Sequence, residues 1–203
     1  MIPSPALQEA LERSRRLGAL GPGPIRTHVD HAAAFLEALA AVPAGSTVVD
    51  LGSGGGVPGL VVLEARPDLS LVLLDAMEKR TALLVEAVAA MGAGDRCRVV
   101  TGRAEDMGRS DELRGAAVAV LARSFGPPAV TAECGSPFLA LGGRLVVSEP
   151  PQVSNRWPVA GLAQLGLEIA PDSVPGAQVL VQRAPCPARF PRRNGIPAKR
   201  PLF

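Results

Sequence analysis

The chain has 203 residues, 47% of them hydrophobic and 20% charged, with a formal net charge of +2. This is enough for one α/β domain with a full core, and so small a net charge means that any nucleic-acid surface must be local. Three scattered cysteines, Cys97, Cys134 and Cys186, argue against a disulfide framework and a zinc cluster, so no metal is expected and the thiols fit a reducing cytoplasm. No apolar run reaches the ~18 residues of a membrane span, and the start lacks a basic segment followed by an apolar one, so neither a span nor a secretory signal is expected.

Ala6, Leu7, Ala10, Leu11 and Leu17 recur at helical spacing and predict an amphipathic helix over 6–17. Two glycine–proline pairs between Gly18 and Pro24 break it. A second helix is predicted from His31 to Val42, stopped by Pro43-Ala44-Gly45. An alternating unit follows: strand 47–51, helix about 57–65, strand 70–75, helix 78–91, strands 97–101 and 116–122, a helix from about 127, and strand 143–148. Each strand is a continuous apolar run, the pattern of a sheet covered by helices on both faces. The alternation predicts a doubly wound, mostly parallel sheet with its ligand at the strand C-terminal ends. Leu162 to Ile169 and Val179 to Val181 are expected to close the sheet with an antiparallel edge. Residues 185–203 hold five prolines and read as a loop-like tail. The chain thus divides into an N-terminal helical segment (1–45), a cofactor-binding domain (46–184) and a basic, proline-rich tail (185–203) packed on it.

The densest chemical signal is Val48-Val49-Asp50-Leu51-Gly52-Ser53-Gly54-Gly55-Gly56-Val57-Pro58-Gly59, a strand entering a glycine turn and then a helix. Asp75 ends the next strand. Glycines let the backbone approach a nucleoside, and an acid some 20 residues on can accept hydrogen bonds from two ribose hydroxyls. Gly54, Gly56 and Gly59 also satisfy Gly-x-Gly-x-x-Gly, so this motif alone leaves a nicotinamide dinucleotide possible. Asp50 tilts the balance, because an anion beside the turn repels a pyrophosphate and favours the sulfonium and ammonium of S-adenosylmethionine.

Together with Ala65-Arg66-Pro67-Asp68, Leu74 to Arg80, Gly102-Arg103-Ala104-Glu105, Ala122-Arg123-Ser124-Phe125 and the tail Phe190 to Leu202, this loop resembles the small-subunit ribosomal RNA guanine-N7 methyltransferases, the GidB-like family. The resemblance runs from about residue 26 to the end. It implies a Rossmann-like class I methyltransferase fold with a seven-stranded sheet, S-adenosylmethionine as cofactor, and ribosomal RNA or the small ribosomal subunit as partner of a cytoplasmic monomer. Asp50, Gly52, Ser53, Gly54 and Val57 would line the cofactor through the glycine loop, and Asp75 and Ala76 would hold the ribose. Ala104 and Glu105 would border the adenine. Arg123 would lie beside both cofactor and incoming base, as the candidate catalytic residue. Arg192, Arg193, Lys199 and Arg200 are the candidate RNA contacts, since basic charge is the main sequence-independent source of RNA affinity.

The chain also departs from the family. An Arg-His pair of the second helix is here Asp30-His31, and a Leu-Lys-Gly after the fifth strand is Ser148-Glu149-Pro150. Glu149 is expected to place an anion at the mouth of the cleft, where it would repel RNA phosphate. Such changes leave two further readings open: a diverged member acting on another RNA or a small molecule, and a cofactor-binding protein without transfer activity.

Overall fold

The computed structural model describes residues 1–150, 155–172 and 174–203. The apolar runs pair into one sheet of seven strands: β1 Thr47–Leu51, β2 Ser70–Asp75, β3 Cys97–Thr101, β4 Ala117–Ala122, β5 Leu139–Ser148, β6 Leu167–Ile169 and β7 Ala177–Gln182. Their spatial order is β3-β2-β1-β4-β5-β7-β6. The first five strands are parallel, and β7 runs antiparallel to both β5 and β6. Strand order reverses between β1 and β4, which opens a crevice at their C-terminal ends.

Nine helices flank the sheet among the described residues: α1 Pro5–Arg16, α2 Ile25–Asp30, α3 Ala33–Ala38, α4 Gly59–Ala65, α5 Glu78–Ala90, α6 Ala104–Met107, α7 Pro128–Gly135, α8 Val159–Ala163 and α9 Ile196–Lys199. Ser4 caps α1 by accepting the Leu7 N–H at 3.2 Å. One sheet face packs on α1 to α5 through Leu7, Leu11, Phe35, Leu39, Leu60 and Leu63, all 0% exposed. The other packs on α7, α8 and the tail through Phe138, Trp157, Leu162, Leu165 and Phe190. Each fully buried side chain of this size stabilises the fold by roughly 1.5–3 kcal/mol.

Several boundaries differ from the sequence reading. The helix expected over 31–42 is shorter, Ala33–Ala38, and a separate helix not expected from the sequence precedes it, beginning at Ile25 directly after Pro24 in extended conformation. The helix after the glycine turn starts at Gly59, two residues late. β5 begins at Leu139, with a register irregularity against β4 between Ala117 and Ala119. The tail contains α9 and is tied down along its length. Arg114 donates to the carbonyls of Cys186, Pro187 and Phe190, at 2.9, 3.2 and 2.8 Å. No helix among the described residues is long and apolar enough to cross a membrane.

Candidate functional site

The glycine turn is held by its neighbours in the sheet. The N–H groups of Gly52 and Ser53 both donate to the Leu74 carbonyl, at 2.8 and 2.9 Å. Asp75 ties the turn to the end of β2: Oδ2 accepts the Gly54 N–H and Oδ1 the Met77 N–H, each at 2.9 Å. Arg80 lies 3.6 Å from the same carboxylate. Gly52 has φ +72°, and a β-carbon there would come within 2.7 Å of the Phe125 ring. Only glycine therefore fits both the backbone and the close approach.

Gly52, Asp75, Ala76, Ala104, Glu105 and Phe125 line one cavity of about 230 Å³. The structure thus gathers five of the sequence-predicted cofactor residues on one wall system. Cys134 and Ala198 also line it. Burial pushes the Cys134 thiol well above its ordinary value, so it is no nucleophile. Glu105 reaches across to the tail, where Oε1 accepts the Gly195 N–H at 3.0 Å.

Asp50, Ser53, Gly54 and Val57 do not line this cavity. Asp50 is 1% exposed and sits behind the turn, where its Oδ2 accepts the Gly59 N–H at 3.1 Å and so anchors α4. Ser53 donates to the Asp50 carbonyl at 2.9 Å, and Val57 belongs to the core. These residues shape the loop. The expectation that Asp50 meets a cation directly gives way to burial: its carboxyl is pushed up to about 7 by desolvation, against the lowering influence of Ser53, Gly59 and Arg123.

A second, larger cavity of about 860 Å³ shares Phe125 with the first. His28, Arg123, Glu149, Arg156 and Trp157 line it. Burial holds the Arg123 guanidinium below its ordinary value, while Asp50 opposes the shift. Its Nη1 is buried with no hydrogen-bond partner among the described residues. Glu149 is not the free anion the sequence suggested. Its Oε1 accepts the Trp157 Nε1–H at 2.8 Å and its Oε2 accepts from Arg156 at 3.1 Å, which balances its charge.

His31 is exposed on the cavity rim, whereas His28, one turn earlier, is buried. His28 Nε2 lies 3.1 Å from the Gly21 carbonyl, an acceptor only, so Nε2 carries the proton. Nothing in the sequence separates the two histidines. Arg156 and Trp157 also carry no signal in the sequence, because their relation to Glu149 exists only once the chain has folded.

Of the tail cations, Arg192 is drawn inward. Its Nε and Nη2 grip the fully buried Glu133 at 2.8 and 2.5 Å, and its N–H donates to the same carboxylate at 2.9 Å. This removes Arg192 from the set available to RNA. Arg193, Lys199 and Arg200 are exposed, with no ion-pair partner among the described residues. No cluster of three metal-ligating side chains occurs among the described residues.

The family model for rRNA small subunit methyltransferase G matches residues 25–154. Ribosomal RNA small subunit methyltransferase G of Roseiflexus castenholzii is 35% identical over 168 residues, spanning 78% of this chain and 71% of the relative. That of Moorella thermoacetica is 34% identical over 173 residues, spanning 79% and 71%. Among solved structures, the antibiotic-resistance methyltransferase Kmr superposes with TM-score 0.55 at 18% identity, over 72% of this chain and 89% of that one. A geranyl diphosphate methyltransferase in complex with SAM gives TM-score 0.55 at 17% identity, over 75% and 83%. At these identities the structural likeness concerns the fold.

Proposed function

The chain belongs to the rRNA small subunit methyltransferase G family, and from that premise we propose that it methylates N7 of a guanine in small-subunit ribosomal RNA. It is an S-adenosylmethionine-dependent methyltransferase. The observation that supports the guanine reading is that two cavities share Phe125, one lined by Gly52, Asp75 and Glu105 and one by Arg123, whose Nη1 is buried without a partner among the described residues.

The residues present fit S-adenosylmethionine. Each Asp75 oxygen spends one lone pair on a backbone N–H, which leaves acceptor capacity for two ribose hydroxyls. Ala104 and Glu105 would border the adenine, and Gly52 would line the cofactor through the glycine loop. When bound, the cofactor would supply an electrophilic methyl carbon on a sulfonium leaving group. Guanine N7 carries no proton, so no residue needs to act as a base. Alignment alone is worth ~7–11 kcal/mol. Arg123 donates to the guanine O6 beside N7, the usual pairing of arginine with that edge. Phe125 offers a face on which the base can stack.

Arg193, Lys199 and Arg200 form the RNA-facing part of the tail, and Arg192 holds that tail to α7. One chain contains both cavities, which supports a monomer as the active form, with ribosomal RNA or the small subunit as its partner in the cytoplasm. The test is transfer of labelled methyl from S-adenosylmethionine to small ribosomal subunits that lack the guanine-N7 mark. Label mapping to one guanine supports the reading. No incorporation, with S-adenosylhomocysteine still bound, overturns it in favour of another substrate.

A further inference from the structure

Glu149 is a carboxylate fixed on the wall of the substrate cavity by two donors. Trp157 Nε1–H holds Oε1 and Arg156 holds Oε2, while the Glu149 N–H is pinned to the Gly176 carbonyl at 2.9 Å. A carboxylate has about four acceptor positions. Two are used, so one remains on each oxygen, side by side and without net negative charge to repel a phosphate.

Arg123 lines the same cavity as this pair. Ala122 of β4 pairs with Val147 of β5, and Arg123 and Glu149 follow the ends of these two neighbouring strands. Adjacent strands are about 4.8 Å apart. Across the strand ends the order is Gly52 after β1, Arg123 after β4, Glu149 after β5: cofactor side, donor, and a double acceptor held by Trp157 and Arg156.

Guanine carries its groups in that same order. N7 must face the cofactor side, O6 is the adjacent acceptor, and N1–H and N2–H follow as neighbouring donors on the Watson–Crick edge. Resting on the guanine reading above, we propose that Glu149 selects the target base, its two oxygens accepting N1–H and N2–H while Arg123 donates to O6. Adenine reverses the pattern, setting an amino donor against the guanidinium and a bare N1 lone pair against the carboxylate. Uracil offers O4 and N3–H but neither the second donor nor an N7. Trp157 and Arg156 act as positioning residues that hold the carboxylate in plane with the base.

The test compares wild type, E149Q and W157F in kcat/KM for methyl transfer to small subunits. A second arm measures binding of guanosine, inosine and adenosine monophosphates to protein saturated with S-adenosylhomocysteine. Inosine lacks only the 2-amino group. Wild type should prefer guanosine over inosine over adenosine monophosphate. E149Q turns one acceptor into a donor, so it should lower kcat/KM and guanosine monophosphate affinity by about tenfold or more, with S-adenosylhomocysteine affinity unchanged. W157F keeps both oxygens but frees one, and should give a smaller loss with the guanosine preference retained. Should E149Q also lose S-adenosylhomocysteine affinity, W157F decides: an unchanged kcat/KM there overturns the proposal. Wild-type transfer to guanine with E149Q equally active removes Glu149 alone. No transfer to guanine by wild type removes the guanine reading with it.

Discussion

Asp50 shows how one buried residue makes stability depend on pH. Its carboxyl titrates near 7 in the folded chain, mainly because burial disfavours the anion, against about 3.8 when solvated. The folded state therefore holds this proton more tightly than the unfolded state does. The resulting stabilisation is complete below about pH 4 and is lost as pH rises through 7. Its steepest slope is about 1.4 kcal/mol per pH unit. D50N should flatten that part of the profile, as read by denaturant unfolding at pH 5 and 7. A slope equal to wild type would place the titration elsewhere. At this scale sequence pattern carries residue type but not partners. The glycine turn and Asp75 are legible because spacing along one βαβ unit determines their meeting. Glu149 and Arg192 are not, because their charges are answered by Arg156, Trp157 and Glu133, which only folding brings near.

At the level of elements, the tail is held to α7 by a carboxylate with no exposure at all. Glu133 takes three hydrogen bonds from Arg192 alone. E133A leaves a guanidinium that is about a quarter exposed without its partner. The expected loss is about 3 kcal/mol, the lower end of what breaking a buried pair costs. That corresponds to a fall in Tm of roughly 6–12 °C for a chain of this size. Ala198 and Gly195 would shift with the tail, so S-adenosylhomocysteine affinity should fall in parallel, measured by calorimetry. An E133A protein with normal Tm would show the pair to be idle. Long elements are readable: β1 to β4 as apolar runs, and α1 and α5 as helices with clear breaks. α6, α8 and α9 span only four or five residues each, too few for a period of 3.6 to register. The α2–α3 break leaves little mark in the sequence, because neither helix is closed by glycine or proline.

Over the whole molecule a net charge of +2 leaves RNA attraction to local clusters. Replacing Arg193, Lys199 and Arg200 together by glutamine should weaken RNA binding. It should also lower the salt slope of log K by about 0.7 for each phosphate no longer neutralised, while cofactor binding stays intact. An unchanged slope would move the RNA surface elsewhere. The doubly wound order is visible from alternation alone, and the antiparallel edge from the weaker final runs. The large cavity is not, because its walls come from α2, the ends of β4 and β5, and the loop before α8, distant in sequence. In the proposed reaction the methyl group passes to guanine N7 at the junction by Phe125, by alignment without a base. The most direct measurement is transfer to small-subunit RNA carrying 7-deazaguanosine at the target, where N7 is replaced by carbon. Full transfer to the guanosine RNA and none to the deaza RNA is the predicted result. Equal transfer to both would contradict N7 as the acceptor.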